Sequence, residues 1–143
     1  MLISQILRDK GGEVHTLGAD ASVEQAAKEL NLRKVGALVV ADERGAPVGV
    51  LSERDIVREI AKRGAACLTD QVSSVMSRNV ITAAPDESVD EGLDRMTDRR
   101  IRHLPVVEQG RLVGIVSIGD LVKHRIMAVE AEAAAMQAYI AAN

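Results

Sequence analysis

The sequence predicts an α+β fold in which one β-α-β-β-α unit occurs twice and a long helix follows. Residues 14–58 (copy one) align with residues 80–123 (copy two), with Arg44 as a one-residue insertion, and 14 of the 44 paired positions are identical. Each copy alternates helical and strand patterns, and the segment after Gly119 is rich in Ala and lacks Gly and Pro. Such a repeat indicates that neither copy buries its apolar face alone and that the two meet across an approximate two-fold axis.

The composition indicates a folded globular protein and argues against several function classes. Of the 143 residues, 47% are hydrophobic and 27% are charged, as in ordinary globular domains. One Tyr without Phe or Trp, and a net charge of −3, argue against nucleic-acid binding by stacking or by phosphate contacts. No apolar run approaches the roughly 18 residues of a membrane span, and residues 1–10 lack a signal-peptide pattern. Because Cys67 is the only cysteine, no internal disulfide can form, and we expect a cytoplasmic protein with no membrane partner.

Copy one and the residues before it carry a local signal for each element in turn. Ser22 and Gln25 have the spacing of a capping box, which predicts that a helix begins there. Two apolar runs separated by the polar turn 42–46 predict a β-hairpin. The expected elements are, in order, a short helical piece at Ile3–Leu7, a short strand at Thr16, a helix through Ala26–Leu30, strands at Ala37–Ala41 and Val48–Leu51, and a helix that begins near Ser52.

Copy two repeats these signals in the same order. Ser88 and Glu91 have the capping-box spacing, and the polar turn 108–111 separates two apolar runs. The expected elements are a short helical piece at Val72–Met76, a short strand that contains or ends at Thr82, a helix through Leu93–Met96, strands at Leu104–Val107 and Leu112–Val116, and a helix that begins near Ser117.

The last helix is expected to run from about Gly119 toward Ala142. Apolar residues recur along it at alternating spacings of four and three, which is the spacing of a heptad seam. The members of this seam are Val122, Ile126, Val129, Ala133, Met136 and Ile140. The seam favours self-association through the helix, and packing of the helix back on its own domain is the alternative.

Three short motifs resemble the CBS-domain family, which is named after cystathionine β-synthase. They are VGVLSERD at 48–55, VGIVSIGD at 113–120 and IRHLPV at 101–106. The resemblance extends to about Arg125 and implies a tandem pair, or Bateman module, with repeats at 1–66 and 67–126 packed sheet to sheet and a helical extension at 127–143. It also implies a regulatory, signal-transduction role: AMP, ADP, ATP or NAD would bind in clefts between the repeats. The chain would then form a homodimer and act on a separate, unidentified target protein.

One acidic side chain in each copy suits the ribose of such a ligand. An ionised carboxylate can accept hydrogen bonds from both ribose hydroxyls, each worth roughly 1.5–3 kcal/mol. Asp55 and Asp120 lie in the first turn of a predicted helix, where free N–H groups and the helix dipole can face a phosphate. Arg54 in one copy, and Arg102 with His103 in the other, could supply the countercharge.

The resemblance implies two nucleotide-binding clefts, each of which combines residues from both copies. One cleft combines Thr16 with Arg102, His103, Ser117 and Asp120. The other combines Thr82 with Gly36, Ala37, Ser52, Arg54 and Asp55. Pro105 joins the predicted set through its motif, although it also fits the edge of a strand. Because small residues in copy one align with Arg102 and His103 in copy two, we expect the clefts to differ in affinity.

The same residues also permit a ligand-independent interpretation. Ser-x-x-Asp is a plain capping box, and with that role alone the chain would be a dimerisation scaffold. The sequence contains no Ser-His-acid motif, no cluster with metal-ligand spacing and no Walker-type phosphate loop, so we expect neither catalytic residues nor a metal site. A binding panel of adenine ligands separates a sensor from a scaffold, because only a sensor is stabilised by ligand.

Overall fold

The computed structural model describes all residues from Met1 to Asn143 and contains five α-helices and five β-strands. The chain begins with α1 (Ile3–Lys10), and copy one follows as β1 (Thr16–Gly18), α2 (Val23–Arg33), β2 (Ala37–Ala41), β3 (Pro47–Ser52) and α3 (Glu53–Arg63). Two 3₁₀ turns, Gly64–Thr69 and Val72–Ser74, join the copies. Copy two then comprises α4 (Val89–Arg99), β4 (His103–Glu108), β5 (Arg111–Ser117) and α5 (Ile118–Ala142). The predicted α+β repeat with a long C-terminal helix is confirmed.

Four of the five α-helices begin at serines that the sequence analysis singled out. The hydroxyl of each serine accepts a hydrogen bond from the backbone N–H three residues further on, which satisfies one of the unpaired donors of the first helical turn. The serines are Ser22, Ser52, Ser88 and Ser117. At the other end, α2 and α4 both stop at a basic residue in the left-handed region, Lys34 and Arg100, each with φ 56°. The two copies therefore share both ends of their first helix and the beginning of their second.

The two sheets differ by one strand. In copy one, β1 pairs in parallel with β2, and β2 pairs antiparallel with β3. In copy two, β4 and β5 form a hairpin, and the strand predicted at Thr82 is reduced to one parallel bridge between Ala83 and Val106. On either side of this bridge the backbone groups form hydrogen bonds with side chains instead of with a strand. The guanidinium of Arg95 donates to the Thr82 carbonyl at 2.9 Å, and the Glu87 carboxylate accepts the Ala84 N–H at 2.7 Å. The expectation of a strand there was therefore too long.

The short helical piece before each copy packs into the core of the other copy. Ile3 and Ile6 of α1 are fully buried in a cluster with copy-two residues, and Val72 and Met76 belong to the cluster of copy one. Backbone hydrogen bonds also join each piece to the other copy. The Ile3 and Val72 N–H groups donate to the Glu87 and Ala21 carbonyls, at 2.9 Å and 2.8 Å. Each core therefore contains a helical piece that precedes the other copy, so neither copy buries its apolar face alone. The predicted boundary after residue 66 assigns each of these pieces to the repeat that follows it, although the piece packs on the other repeat.

Gly49 and Gly114, which are identical in the two copies, lie where the exchanged pieces cross the strands. A Cβ at Gly49 would overlap Sδ of Met76 and come within 2.8 Å of its Cγ. A Cβ at Gly114 would come within 2.5 Å of Cδ2 of Leu7. Distances this short require the neighbouring side chain to shift. The glycines therefore permit the close approach that the exchange needs.

The two exchanged pieces end differently. α1 continues as a helix to Lys10, whose ammonium lies 3.1 Å from the carbonyl oxygen of Ile115 in β5. The second piece leaves the 3₁₀ turn, and Ser77 exchanges two backbone hydrogen bonds with Val50 of β3, at 2.9 and 3.0 Å. The chain therefore approaches equivalent strands as a helix end on one side and as an extended segment on the other.

Most of α5 lies outside the core. Leu121 and His124 are its buried residues, and the side chains beyond Val129 are exposed. The heptad seam is open to solvent: Val122 is 42% exposed, Ile126 52% and Met136 61%. None of the helices is both long and apolar enough to cross a membrane.

Candidate functional site

A cleft of about 440 Å³ opens between the two copies beside the N-terminus of α3. This volume lies within the range of small-molecule sites in proteins. We call it the Asp55 cleft. It is lined by Gly36, Val50, Ser52, Glu53, Arg54, Asp55 and Arg58 of copy one and its helix α3, by Ser77 and Asn79 of the joining segment, and by Ile81, Arg100, Ile101, Arg102, His103, Ser117 and Ile118 of copy two.

The starts of β2 and β4 meet at the centre of the cleft. A Cβ at Gly36 would lie 3.1 Å from Nε2 of His103, so the imidazole rests against the backbone of the opposite copy. The backbone on either side is tied in the same way, because the Gly36 carbonyl accepts the N–H of Glu53 at 3.0 Å and the Arg102 carbonyl accepts that of Ile118 at 2.8 Å. Each helix N-terminus is thereby fixed to the strand that begins beside it.

The capping box of α3 orients the Asp55 carboxylate. Its Oδ2 accepts the backbone N–H of Ser52 at 2.9 Å and the Ser52 hydroxyl at 3.1 Å, and its Oδ1 lies 3.2 Å from the guanidinium of Arg58. The Arg58 side chain is 61% exposed, so this ion pair is weak. Both Ser-x-x-Asp motifs act as capping boxes. A ligand can displace Arg58 from Oδ1 of Asp55 at little cost in free energy, because the ion pair is weak.

Basic side chains dominate the lining of the cleft. Four arginines line it, Arg54, Arg58, Arg100 and Arg102, against the two carboxylates of Glu53 and Asp55. Arg54 is the second residue of α3, so its backbone N–H has no acceptor within the helix. An excess of positive charge together with a free N–H at a helix N-terminus favours a bound anion.

His103 contributes a neutral ring to this basic cleft. Burial is the main cause and lowers its pKa below the usual value for histidine, against the opposing fields of the Glu53 and Asp120 carboxylates. The imidazole is therefore uncharged near pH 7 and offers one donor and one acceptor at the contact between the copies.

The equivalent carboxylate of copy two, Asp120, has a different environment. Its Oδ2 accepts the backbone N–H of Ser117 at 2.9 Å and the ammonium of Lys10 at 2.7 Å. Burial alone would raise the pKa of Asp120, but the hydrogen bonds from Lys10 and Ser117 outweigh it and hold the pKa below its usual range. Asp120 does not line the Asp55 cleft.

The structure brings seven of the twelve predicted site residues together. Those that line the Asp55 cleft are Gly36, Ser52, Arg54, Asp55, Arg102, His103 and Ser117. Arg102, His103 and Ser117 therefore lie on the wall of the Asp55 cleft, although the family pattern had grouped them with Asp120.

The other five predicted residues lie outside the cleft, at Thr16, Ala37, Thr82, Pro105 and Asp120. Thr16 is exposed in β1, and Ala37 is buried in β2. Pro105 is buried in β4, where its carbonyl accepts the N–H of Ala83 at 2.9 Å. Thr82 is half-buried, with its carbonyl bound to Arg95.

Sequence reasoning missed five polar residues of the cleft, which are Glu53, Arg58, Ser77, Asn79 and Arg100. Arg58 lies one helical turn after Asp55, and Arg100 is part of a basic run at the end of α4, so both carried a weak local signal. Asn79 carried none, because only the fold brings the joining segment to the end of α3.

Comparison with known proteins supports the same architecture. The family model described as "CBS domain" matches residues 3–62 and 72–126 of the chain. The chain is similar to the CBS-domain containing protein ATU1752 from Agrobacterium tumefaciens, with 44% identity, a TM-score of 0.84, and coverage of 87% of this chain and 92% of that chain.

Two further solved structures contain adenosine compounds. The CBS domain protein PAE2072 from Pyrobaculum aerophilum, complexed with AMP, is 31% identical with a TM-score of 0.80 over 91% of this chain and 97% of that chain. The CBS domain pair of protein MJ0100, in complex with 5′-methylthioadenosine and S-adenosyl-L-methionine, is 31% identical with a TM-score of 0.78 over 91% of this chain and 98% of that chain.

Proposed function

The chain belongs to the CBS-domain family, and we propose that it is a regulatory module that binds an adenine nucleotide in the Asp55 cleft and reports its level to a separate target protein. The observation that carries the proposal is that one cleft combines a positioned carboxylate with four arginines. A carboxylate suits the two hydroxyls of a ribose, and arginines suit phosphate. A nucleotide carries both groups on one molecule.

The charge of the cleft favours phosphate-bearing ligands. AMP, 5′-methylthioadenosine and S-adenosyl-L-methionine, which the two similar proteins bind, share adenosine but differ in charge. In this chain the four arginines exceed the two carboxylates of the lining, and His103 is neutral. We therefore expect AMP, ADP, ATP or NAD to bind more tightly than the uncharged thioether or the sulfonium compound, and binding to weaken as salt is added.

Calorimetric titration of the protein with AMP, ATP and S-adenosylmethionine tests the proposal. Replacing Asp55 by Ala removes the ribose acceptor and should weaken AMP and ATP at least tenfold, from the roughly 1.5–3 kcal/mol of a charge-assisted hydrogen bond. Asp55→Asn keeps an acceptor for the Ser52 N–H, so it separates lost binding from a lost helix cap. Asp94→Ala, at an exposed position of α4, is the matched control and should bind as the wild type does.

The competing function is a ligand-independent scaffold in which Asp55 serves only as a cap. In that case the wild-type protein neither binds nor is stabilised by any of these compounds at millimolar concentration. Asp55→Ala would then lower only the stability, by about 1 kcal/mol, as loss of a helix cap does.

A second copy of the chain is the partner that α5 favours. The helix projects an apolar seam whose members are 42–66% exposed at Val122, Ile126, Val129, Met136 and Ile140. A largely unsupported helix of this length is marginal in water, and burying the seam against its equivalent closes a symmetric dimer. Light scattering should give the mass of a dimer for the wild type and of a monomer for Ile126→Glu with Met136→Glu. A wild-type monomer would contradict this assignment. The target protein and the cytoplasmic location stay predictions.

A further inference from the structure

Lys10, the last residue of α1, is the clearest difference between the two sides of the pseudo-two-fold axis. Its ammonium lies 2.7 Å from Oδ2 of Asp120 and 3.1 Å from the carbonyl oxygen of Ile115. The Asp120 side chain is 26% exposed and that of Lys10 36%, so the pair is partly shielded from water. The chain itself thus supplies a cation to the carboxylate that is equivalent to Asp55.

The Asp55 cleft lacks such a cation from the joining segment. Aligning the exchanged pieces, Ile3 with Val72, places the uncharged Asn79 at the position of Lys10. Asn79 lines the cleft and makes no hydrogen bond to Asp55. The cation beside Asp55 is Arg58, one turn along the same helix and largely exposed.

α1 is held firmly enough to keep Lys10 beside Asp120. Ile3 and Ile6 of α1 are completely buried in the core of copy two. Asp9 lies 3.2 Å from Nε2 of His124, a buried residue of α5. The ammonium therefore stays within reach of the carboxylate as an intramolecular partner, with the high effective concentration that this implies.

We propose that Lys10 is an internal competitor for Asp120, which makes the Asp55 cleft the first nucleotide site and keeps the Asp120 side closed to nucleotide until Lys10 is displaced. This inference rests on the proposed nucleotide-binding function. A ribose reaches Oδ1 of Asp55 by displacing Arg58, whose side chain is 61% exposed. A ribose that uses both oxygens of Asp120 must compete at Oδ2 with Lys10, whose side chain is 36% exposed and whose ammonium also contacts the Ile115 carbonyl. The wild type then takes up one nucleotide per chain before a second one binds.

A titration in a background without the first site isolates this competition. Asp55→Ala should remove the binding of AMP and ATP at low concentration. Adding Lys10→Asn, the residue found at the equivalent position of the other side, should restore a site about fivefold tighter than that of Asp55→Ala alone, the factor expected from losing a partly exposed ion pair. Further replacement of Asp120 by Ala should abolish the restored site. The matched control is Lys28→Asn with Asp55→Ala, which removes a charge from an exposed pair of α2 and should restore nothing.

The outcomes separate the two proposals. A wild type that binds no adenine nucleotide defeats the proposed function itself. A wild type that binds two nucleotides with equal affinity defeats the role of Lys10 alone, as does a Lys10→Asn variant that binds more weakly, since Lys10 would then contact the phosphate. If Lys10→Asn lowers the melting temperature enough to disturb folding, Lys10→Met preserves the aliphatic stem and gives the same comparison.

Discussion

The two copies share a fold and a capping box, but the carboxylates of their capping boxes lie in different surroundings. Asp55 and Asp120 are oriented alike by Ser52 and Ser117, yet Asp55 borders an open cleft with four arginines, and Asp120 is paired with Lys10. The cation beside Asp120 comes from the segment that precedes copy one. Two of the arginines come from the copies themselves, because Arg54 aligns with Gly119 and Arg102 with Gly36. A duplicated fold therefore does not guarantee two equal sites, because the segments that enter the clefts can diverge while the repeated scaffold stays the same.

The largest expected effect is on the free energy of unfolding, at the two glycines where the exchanged helical pieces cross the strands. The side chain that contacts the glycine is Met76 in copy one and Leu7 in copy two. Gly114→Ala would press a Cβ against the branched Leu7, whereas Gly49→Ala would meet Met76, whose flexible thioether can adapt. We expect Gly114→Ala to lower the free energy of unfolding by about 1–3 kcal/mol, and Gly49→Ala by less. Urea denaturation measures both.

Two controls decide whether that loss comes from crowding. Leu7→Ala should partly rescue Gly114→Ala, so the double-mutant cycle should show coupling between the two positions. Gly119→Ala should be neutral or stabilising, because a Cβ there makes an ordinary contact of 3.6 Å within a helix. Equal stability of Gly114→Ala and the wild type would refute the role given to the two glycines that occupy the same position in each copy.

A smaller effect distinguishes the copies at acid pH. The hydrogen bond from Arg95 is the main cause that lowers the pKa of Glu87, and copy one has Ala21 and Glu29 at these positions. The pKa of Glu87 is lower in the folded than in the unfolded chain. Its contribution is therefore present above the unfolded value of about 4.3 and is lost as the pH falls through the folded value.

Glu87→Gln should remove that contribution. Between about pH 5 and about pH 3 the wild type should lose more stability than the variant, by about 1 kcal/mol or less, because the Glu87 and Arg95 side chains are 21% and 31% exposed. Thermal unfolding across this range provides the measurement. Glu24→Gln, in an exposed pair of α2, should keep the pH dependence of the wild type, and a Glu87→Gln variant that does the same would contradict the assignment.

Local patterns predicted most of the fold. The four serine caps, both hairpins and the full length of α5 follow from short spacings in the sequence, because capping, turns and helix periodicity are decided within a few residues. The strand predicted at Thr82 was too long, because a contact between residues distant in the sequence decides the structure there. Arg95 binds the Thr82 carbonyl from 13 residues away, and no local pattern carries that contact.

The candidate site was predictable in its residue types and less so in its grouping. The repeat identified Asp55 and the motif 101–106 identified Arg102 and His103, but only the fold places the two sets in one cleft. Lys10 reaches Asp120 across 110 positions of the chain, from a helix that packs on the opposite copy. Contacts of this kind depend on how the copies dock, so composition and spacing do not encode them locally.

A crystal structure of the protein with one equivalent of AMP per chain tests the central claim most directly. The account predicts AMP in the Asp55 cleft, with its ribose hydroxyls at roughly 2.5–3.2 Å from the Asp55 carboxylate, its phosphate against arginine side chains, and the Lys10 pair with Asp120 intact. AMP bound beside Asp120 with the Asp55 cleft empty, or AMP whose ribose points away from both carboxylates, would contradict it.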